Sequence, residues 1–220
     1  MLKDRTKAES ASASLFSSRR SAALPQPQTR SSHGLEQFFS SIQEEENLSI
    51  LDFAGASQAN ISFITALGHR IYSNDVVHAL EEAFGGEGDY LTNQSDPKRA
   101  TAFLEETLAF GDRSFDGALL WDTLQFLAPP LLEQTVEQLF RILRPGASLL
   151  AFFHAEEKSN SAPLYSYRIL SPKTMSLTSR GAARPTQYFN NRSLEKLFQK
   201  FQSVKFFLTR DHLREVIVRR

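Results

Sequence analysis

The sequence predicts a three-layer α/β domain, and two observations lead to this class. Short apolar segments typical of buried strands alternate with segments whose apolar residues recur at helical spacing. The chain then ends in two strand-like segments, residues 204–208 and 214–218, joined by a link that is long enough only for antiparallel pairing. We therefore expect parallel strands joined by helices, with one reversed strand at the end of the chain.

The predicted helices combine apolar side chains at every third or fourth position with capping or breaking residues at their ends. Ser57, Asp75 and Ser193 are suited to cap helices, and Gly68 is suited to end one. In chain order, the helices are expected over residues 35–45, 58–67, 76–84, 130–143 and 194–201.

The predicted strands are short apolar runs bounded by turn-forming residues. The run at 148–154 is apolar throughout, as in strands buried on both faces of a parallel sheet. Residues 101–104 are compatible with a further strand, but residues 100–108 are equally compatible with a helix, and both alternatives stay open. The clearer strands are expected over residues 48–53, 69–73, 115–121, 148–154, 204–208 and 214–218.

Composition excludes several classes of function. Lys and Arg total 25 and Asp and Glu total 25, which argues against a nucleic-acid partner held by a basic field. The absence of cysteine excludes disulfides, zinc–thiolate sites and a cysteine nucleophile. No apolar run approaches the roughly 20 residues that span a bilayer, and the histidines lack metal-ligand spacing. We expect a cytoplasmic protein with no metal, nucleic-acid or membrane partner.

Two segments stand apart from this alternation. Residues 1–34 are rich in Ser, Ala, Arg and Gln, carry an excess of four positive charges and have few large apolar side chains. We expect them to form a flexible tail, because they bury too little apolar surface to offset the entropy of ordering, and residues 35–220 to form the domain. A polar insertion follows at residues 156–187, where Tyr165, Tyr167 and Arg168 suit a substrate lid or a packed aromatic pair equally well.

Four motifs carry a resemblance to one enzyme family. Residues 51–58 (LDFAGASQ) resemble the first motif of class I S-adenosylmethionine-dependent methyltransferases, in which a strand with an acidic residue runs into a glycine-rich loop. Residues 68–75 are similar to the second motif, a strand that ends in an acidic residue. Residues 115–124 and 141–146 are similar to the fourth strand and to the turn into the fifth. The motifs occur in the family's order, and the resemblance covers residues 35–219.

The resemblance implies a Rossmann-like methyltransferase fold, with a mostly parallel seven-stranded sheet and a reversed terminal strand. It implies S-adenosylmethionine as cofactor and methyl transfer to a small-molecule acceptor by in-line displacement. The alternative is a catalytically degenerate member that serves as a binding or scaffold subunit for a protein partner. Gln58 discriminates between the two, because its side chain favours the degenerate alternative if it fills the methionine site.

The resemblance also implies where the cofactor binds. Open parallel sheets bind ligands beyond the carboxyl ends of their strands. Asp75, with Asn74 as the alternative, would accept the ribose hydroxyls, Glu105 or Glu106 would lie near the adenine, and Trp121 with Asp122 near the methionine end. The full set of cofactor residues expected is Asp52, Ala54, Gly55, Ala56, Asp75, Glu105, Glu106 and Trp121.

One histidine is a candidate catalytic group. His154 ends the predicted fifth strand, at the edge of the sheet where ligands bind. Imidazole is suited to act there as a general base toward an acceptor hydroxyl or amine. The structural alternative is a histidine that caps the end of a strand.

Overall fold

A computed structural model describes residues 16–17, 26–154, 161–209 and 213–220. The strands in this part of the chain are β1 (Phe16–Ser17), β2 (Gln28–Ser31), β3 (Ser49–Asp52), β4 (Arg70–Ser73), β5 (Phe115–Trp121), β6 (Leu143–His154), β7 (Ala162–Ser171), β8 (Thr174–Ala183), β9 (Ser203–Leu208) and β10 (Leu213–Arg219). The α-helices are α1 (His33–Ser40), α2 (Gln58–Ala66), α3 (Val76–Phe84), α4 (Tyr90–Gln94), α5 (Pro97–Thr107), α6 (Pro129–Ile142) and α7 (Asn191–Leu197). A 3₁₀ helix, Thr123–Phe126, follows β5.

The central sheet has the order β4-β3-β5-β6-β10-β9 in the described residues. Strands β4, β3, β5 and β6 are mutually parallel, whereas β10 is antiparallel to both β6 and β9. The predicted α/β class and the mostly parallel sheet are therefore confirmed, and β10 is the expected reversed strand.

The prediction of a seventh strand was wrong for the described part of the chain. Residues 101–104 lie inside α5, so the helical alternative is correct. Asp96 starts this helix, because its carboxylate accepts hydrogen bonds from the backbone amides of Lys98 and Arg99. Pro97 supplies a helical φ in the first turn. Helices α3, α4 and α5 consequently make the whole connection from β4 to β5, and β4 forms one edge of the described sheet.

Successive side chains along the strands point to opposite faces of the sheet and contribute to two hydrophobic cores, one on each face. Leu51 and Leu120 point to one face, where α3, α5, α6 and α7 pack. Ile50 and Trp121 point to the other face, which is covered by α1, α2 and a second sheet. In that second sheet β8 pairs with β7, β2 and β1. The polar insertion is thus a β-hairpin, β7–β8, that packs against the central sheet.

The expected boundary between tail and domain was wrong for residues 28–34. Strand β2 pairs with β8, and Ser32 caps α1. The anchor is Glu215 of β10, a fully buried carboxylate that accepts hydrogen bonds from the Ser32 hydroxyl (2.9 Å) and the Gly34 amide (2.6 Å). Arg30 lies 3.5 Å from the same carboxylate. Residues 1–15 and 18–25 of the expected tail lie outside the described residues.

Replacing Glu215 with alanine is expected to lower the free energy of unfolding by about 3 kcal/mol, because it leaves buried donors without their acceptor. Urea denaturation followed by the fluorescence of Trp121, the only tryptophan, measures the change. Glu36→Ala is the matched control, since Glu36 lies on α1 with its side chain half exposed. Equal unfolding midpoints for the two variants would contradict the anchoring role.

Candidate functional site

The loops that follow β3 and β4 meet at the carboxyl edge of the sheet. Ala54 forms an isolated antiparallel bridge with Asp75, and the amide of Gly55 donates to the carbonyl of Asn74 at 3.3 Å. The amide of Asn74 in turn donates to the carbonyl of Asp52 at 2.9 Å. The structure therefore brings the two segments that carry the first and second motifs into direct contact.

Gly55 is the residue that allows this contact. Its φ is +80°, a left-handed conformation that side chains rarely adopt. A Cβ at this position would lie 3.0 Å from the Cβ of Asp75. A single glycine thus meets both the conformational and the steric demand where the two loops touch.

Asp75 lies at the start of α3 with its carboxylate one-third exposed. Its Oδ1 accepts from the amide of His78 at 3.1 Å, which caps the helix. Arg180 of β8 approaches both carboxylate oxygens, with Nη2 2.9 Å from Oδ2 and Nη1 3.3 Å from Oδ1. The hairpin therefore supplies a cation to the carboxylate that sequence analysis assigned to the ribose.

The amino end of α2 faces the same edge. Ser57 occupies the N-cap position, but its side chain makes no capping hydrogen bond. The exposed side chain of Gln58 lies along the helix, where its Nε2 donates to Ser62 at 3.0 Å. Gln58 thus leaves the end of the helix open, and backbone N–H groups in the first turn favour an anionic group.

Asp52 joins the loop after β3, helix α2 and the end of β5 through hydrogen bonds. Its carboxylate is fully buried and accepts from the Trp121 indole (2.6 Å), the Ala54 amide (3.0 Å) and the Asn60 side chain (3.1 Å). Burial raises the pKa of this carboxyl, and the three hydrogen bonds act in the opposite direction. Because protein donors occupy both oxygens, Asp52 braces the loop and does not offer a free oxygen to a ligand.

Trp121 and the β7–β8 hairpin pack against each other at the carboxyl ends of β3 and β5. The Trp121 backbone has a φ of +51°, and its ring stacks on Tyr167 at 4.7 Å with an interplanar angle of 10°. Asn60 fixes β7 from α2, because it donates to the carbonyl of Tyr167 at 3.2 Å and accepts from the amide of Ile169 at 2.8 Å. Tyr167 is therefore a packed aromatic residue next to the site.

Asp122 is a second buried carboxyl at this edge. It is 2 % exposed, and its Oδ2 has no hydrogen-bond partner among the described residues. Burial raises the pKa of Asp122 to about 7, while Tyr167 and Arg180 favour the ionised form. The Tyr167 hydroxyl faces this carboxyl and stabilises its charged form. Asp122 is thus a buried acid that can change its charge near neutral pH.

The structure does not bring Glu105 and Glu106 to this edge. Both are exposed at the carboxyl end of α5, from which the chain continues to the start of β5. The carbonyl of Phe110 there accepts from Arg141, near the end of α6 and just before β6 begins. The two glutamates therefore lie toward the opposite edge of the sheet, because the strand expected to lead to them is a helix.

His154 ends β6 at the same edge as the other strand ends. Its backbone amide donates to Oε1 of Gln125 at 3.0 Å, which joins β6 to the 3₁₀ helix after β5. Of the residues at this edge, sequence analysis missed Asn60, Gln125 and Arg180. Only Asn60 offered a signal, as a polar residue at a position that turns out to be fully buried in α2.

Comparisons with known proteins identify similar structures. The sequence matches no protein-family model and no curated protein. Among solved structures, a Burkholderia thailandensis 1,6-didemethyltoxoflavin-N1-methyltransferase with bound S-adenosylhomocysteine is similar with a TM-score of 0.46 and 12 % identity, over 85 % of this chain and 76 % of that one. A SAM-dependent methyltransferase from Methanosarcina mazei has a TM-score of 0.45 and 18 % identity, over 80 % and 93 % of the two chains. One from Aquifex aeolicus has a TM-score of 0.46 and 13 % identity, over 84 % and 88 %.

Three further findings concern the described part of the chain. None of its helices is long and apolar enough to cross a membrane. Its His, Asp and Glu side chains form no group of three or more that could hold a metal ion. A separate groove of about 410 Å³ lies between α6 and α7, with an apolar floor that includes Leu132, Phe140 and Phe201.

Proposed function

We propose that this protein transfers a methyl group from S-adenosylmethionine to a small-molecule acceptor. The observation that carries the proposal is the contact between the Gly55 loop and Asp75 at the carboxyl ends of two adjacent parallel strands. Ligands of open α/β sheets bind at this edge. The motifs that resemble the methyltransferase family supply the identity of the ligand.

The residues at the edge fit the two polar ends of this cofactor. The uncapped amino end of α2 suits the carboxylate of the methionine half. The carboxylate of Asp75 can accept from both ribose hydroxyls, provided that it exchanges Arg180 for them. The absence of a Cβ at Gly55 keeps the two loops close without filling the space above them.

When bound, S-adenosylmethionine supplies a methyl group activated by the neighbouring sulfonium. The contribution of the chain is to orient the reactants and to exclude water. Asp52, Asn60 and Trp121 hold the strand ends and loops in fixed relation through buried hydrogen bonds. The stacked Trp121 and Tyr167 rings seal the side of the site that faces the hairpin.

Gln58 bears on the alternative of a degenerate scaffold. Its side chain bonds to Ser62 on the exposed side of α2 and therefore leaves the methionine site unfilled. The position of the Gln58 side chain therefore does not favour the scaffold alternative. We infer an active enzyme, and we propose the cytoplasm as its compartment.

Calorimetric titration of the purified protein with S-adenosylmethionine, and separately with S-adenosylhomocysteine, tests the proposal. We expect dissociation constants below about 100 μM, since the site offers an anion-binding helix end and an ionised carboxylate. If millimolar concentrations of both ligands give no heat and no change in melting temperature, the proposed function is wrong.

Replacing Arg180 with alanine is expected to tighten S-adenosylhomocysteine binding about two- to fivefold. A partly exposed ion pair contributes about 0.2–1 kcal/mol, and the ligand must displace this one to reach Asp75. The same titration measures the effect, with Arg168→Ala as control because Arg168 is exposed on the neighbouring strand β7. Weaker binding by Arg180→Ala would show instead that Arg180 contacts the ligand.

A further inference from the structure

The groove between α6 and α7 is bordered by charges of opposite sign. Glu133 and Glu137 lie four residues apart on α6, and therefore on one face of that helix. Lys196 and Lys200 lie on the other side of the groove, with the same spacing of four residues. All four residues are exposed. One border of the groove is thus acidic and the other is basic.

The apolar floor between these borders is only partly covered. Phe140 and Leu197 are half-buried, although both pack against the core. The Phe140 ring meets that of Phe201 edge to face, with the ring centroids 5.2 Å apart. The volume of the groove is about 410 Å³. An apolar centre with a charged border is the usual composition of a protein–protein interface.

The fold makes α6 and α7 run in the same direction. Helix α6 leads into β6 and α7 leads into β9, and both strands are antiparallel to β10. The two helices also pack on the same face of the sheet. Glu137 forms an ion pair with Lys200, and Phe140 contacts Phe201, so equivalent turns of the two helices lie at the same level. The acidic and basic borders therefore run side by side.

This face of the molecule is complementary to itself. A two-fold axis parallel to the helices places α6 of one copy over α7 of a second copy, and α7 over α6. The acidic border of each copy then faces the basic border of the other, and the two apolar floors meet. A two-fold axis across the helices would set like charges against each other instead. Charge therefore selects the first arrangement.

One pair of opposite charges across the groove stays open within the chain. Glu137 and Lys200 form an ion pair. Glu133 and Lys196 each lie four residues earlier, and neither forms an ion pair with another described residue. A second copy in the parallel two-fold arrangement would bring a lysine to Glu133 and a glutamate to Lys196.

We propose that this protein forms a homodimer through the α6–α7 face, in which Glu133 of each copy pairs with Lys196 of the other. The groove contains none of the residues assigned to the cofactor, so this inference is independent of the proposed function. Helix α6 has 14 residues. At a rise of 1.5 Å per residue and a helix diameter near 10 Å, the two-helix face measures roughly 20 Å by 20 Å. This is a small interface, and we expect a dissociation constant of about 1–50 μM.

Sedimentation velocity of the full chain measures the association. We expect mostly monomer at chain concentrations well below this dissociation constant and mostly dimer at about 200 μM. Raising the salt concentration from about 0.05 to 0.5 M should weaken the dimer severalfold, because exposed ion pairs are screened. A chain that stays monomeric at about 200 μM in low salt would overturn the proposal.

Charge exchange assigns the dimer to this face. Glu133→Lys and Lys196→Glu should each weaken self-association at least about tenfold, because each sets like charges against each other twice in the dimer. An equimolar mixture of the two variants should recover the affinity of the wild type, since the reversed charge of one faces the reversed charge of the other. Glu195→Lys is the matched control, because Glu195 is exposed on α7 outside the groove, and it should dimerise as the wild type does.

The mixture also separates a lost interface from a damaged fold. Both variants keep the Glu137–Lys200 ion pair, and urea denaturation should give them unfolding midpoints close to that of the wild type. A misfolded chain could not recover association when it is mixed with another. If both variants dimerise as tightly as the wild type, or if the mixture associates no more tightly than each variant alone, the inference is wrong.

Discussion

Replacing Asp122 with asparagine is expected to stabilise the protein above pH 7, by as much as about 4 kcal/mol, and to change its stability little near pH 4. Burial raises the pKa of Asp122 from 3.8 to about 7 in the folded state. Between these values the folded chain holds a proton that the unfolded chain has released. The free energy of unfolding of the wild type therefore falls as pH rises through this window, whereas asparagine stays neutral throughout.

Urea denaturation of both proteins near pH 4, 6 and 8 measures this divergence. Asp89→Asn is the control of opposite sign, because hydrogen bonds from Thr92 lower the pKa of the exposed Asp89 carboxyl. The ionised Asp89 carboxylate stabilises the folded state above pH 3.8, and this stabilisation is lost as pH falls through the lowered pKa. Asp89→Asn should therefore have a lower free energy of unfolding than the wild type at high pH only. Parallel stability profiles for the wild type and Asp122→Asn would contradict the raised pKa. A buried acid that lowers stability at neutral pH is typical of functional sites, where stability is given up for chemistry.

Replacing Asp75 with alanine is expected to weaken S-adenosylhomocysteine binding at least about tenfold. Hydrogen bonds to an ionised carboxylate contribute about 1.5–3 kcal/mol, and the ribose hydroxyls would lose their acceptor. Calorimetric titration measures the loss.

Asp89→Ala is the matched control for this variant. Asp75 and Asp89 both cap helices through the backbone amide three residues ahead, at 3.1 Å and 2.9 Å. Both substitutions remove a helix cap, but only Asp75 lies at the carboxyl edge of the sheet. If both variants bind the ligand as the wild type does, Asp75 is not the ribose acceptor.

The sequence predicted those parts of the fold that depend on local patterns. Apolar spacing and capping residues identified the helices on both sides of the sheet, and the short link near residue 210 predicted the antiparallel pair β9–β10. The expected strand at 101–104 failed because apolar residues there fit both periods, and Asp96 with Pro97 decided for a helix. The misplacement of Glu105 and Glu106 follows from that one error.

Long-range pairing accounts for the other errors. Strand β2 pairs with β8 across almost 150 residues of chain, for example Gln28 with Leu177, and this pairing depends on backbone hydrogen bonds that leave little trace in side-chain composition. The same holds for the insertion, whose hairpin was expected only as a polar segment. The tail was therefore expected to lie outside the domain and the insertion to be a polar segment within it, although the described strands of both build the second sheet.

In the candidate site, too, some features follow from strand order and others depend on tertiary packing. The proximity of Gly55 and Asp75 follows from strand order, and the structure has them in contact. Arg180, Gln125 and the charge state of Asp122 depend on where the hairpin packs, because burial under Tyr167 and the approach of Arg180 set that pKa. Sequence patterns carry no information on such contacts until the tertiary fold is known.

The most direct test of the central claim is to map S-adenosylhomocysteine binding by the amide resonances of ¹⁵N-labelled protein. The largest changes are expected at Gly55, Ala56 and Asp75, together with the indole N–H of Trp121. This pattern would locate the ligand at the carboxyl ends of β3, β4 and β5. Changes confined to the groove between α6 and α7, or no changes at millimolar ligand, would contradict the claim.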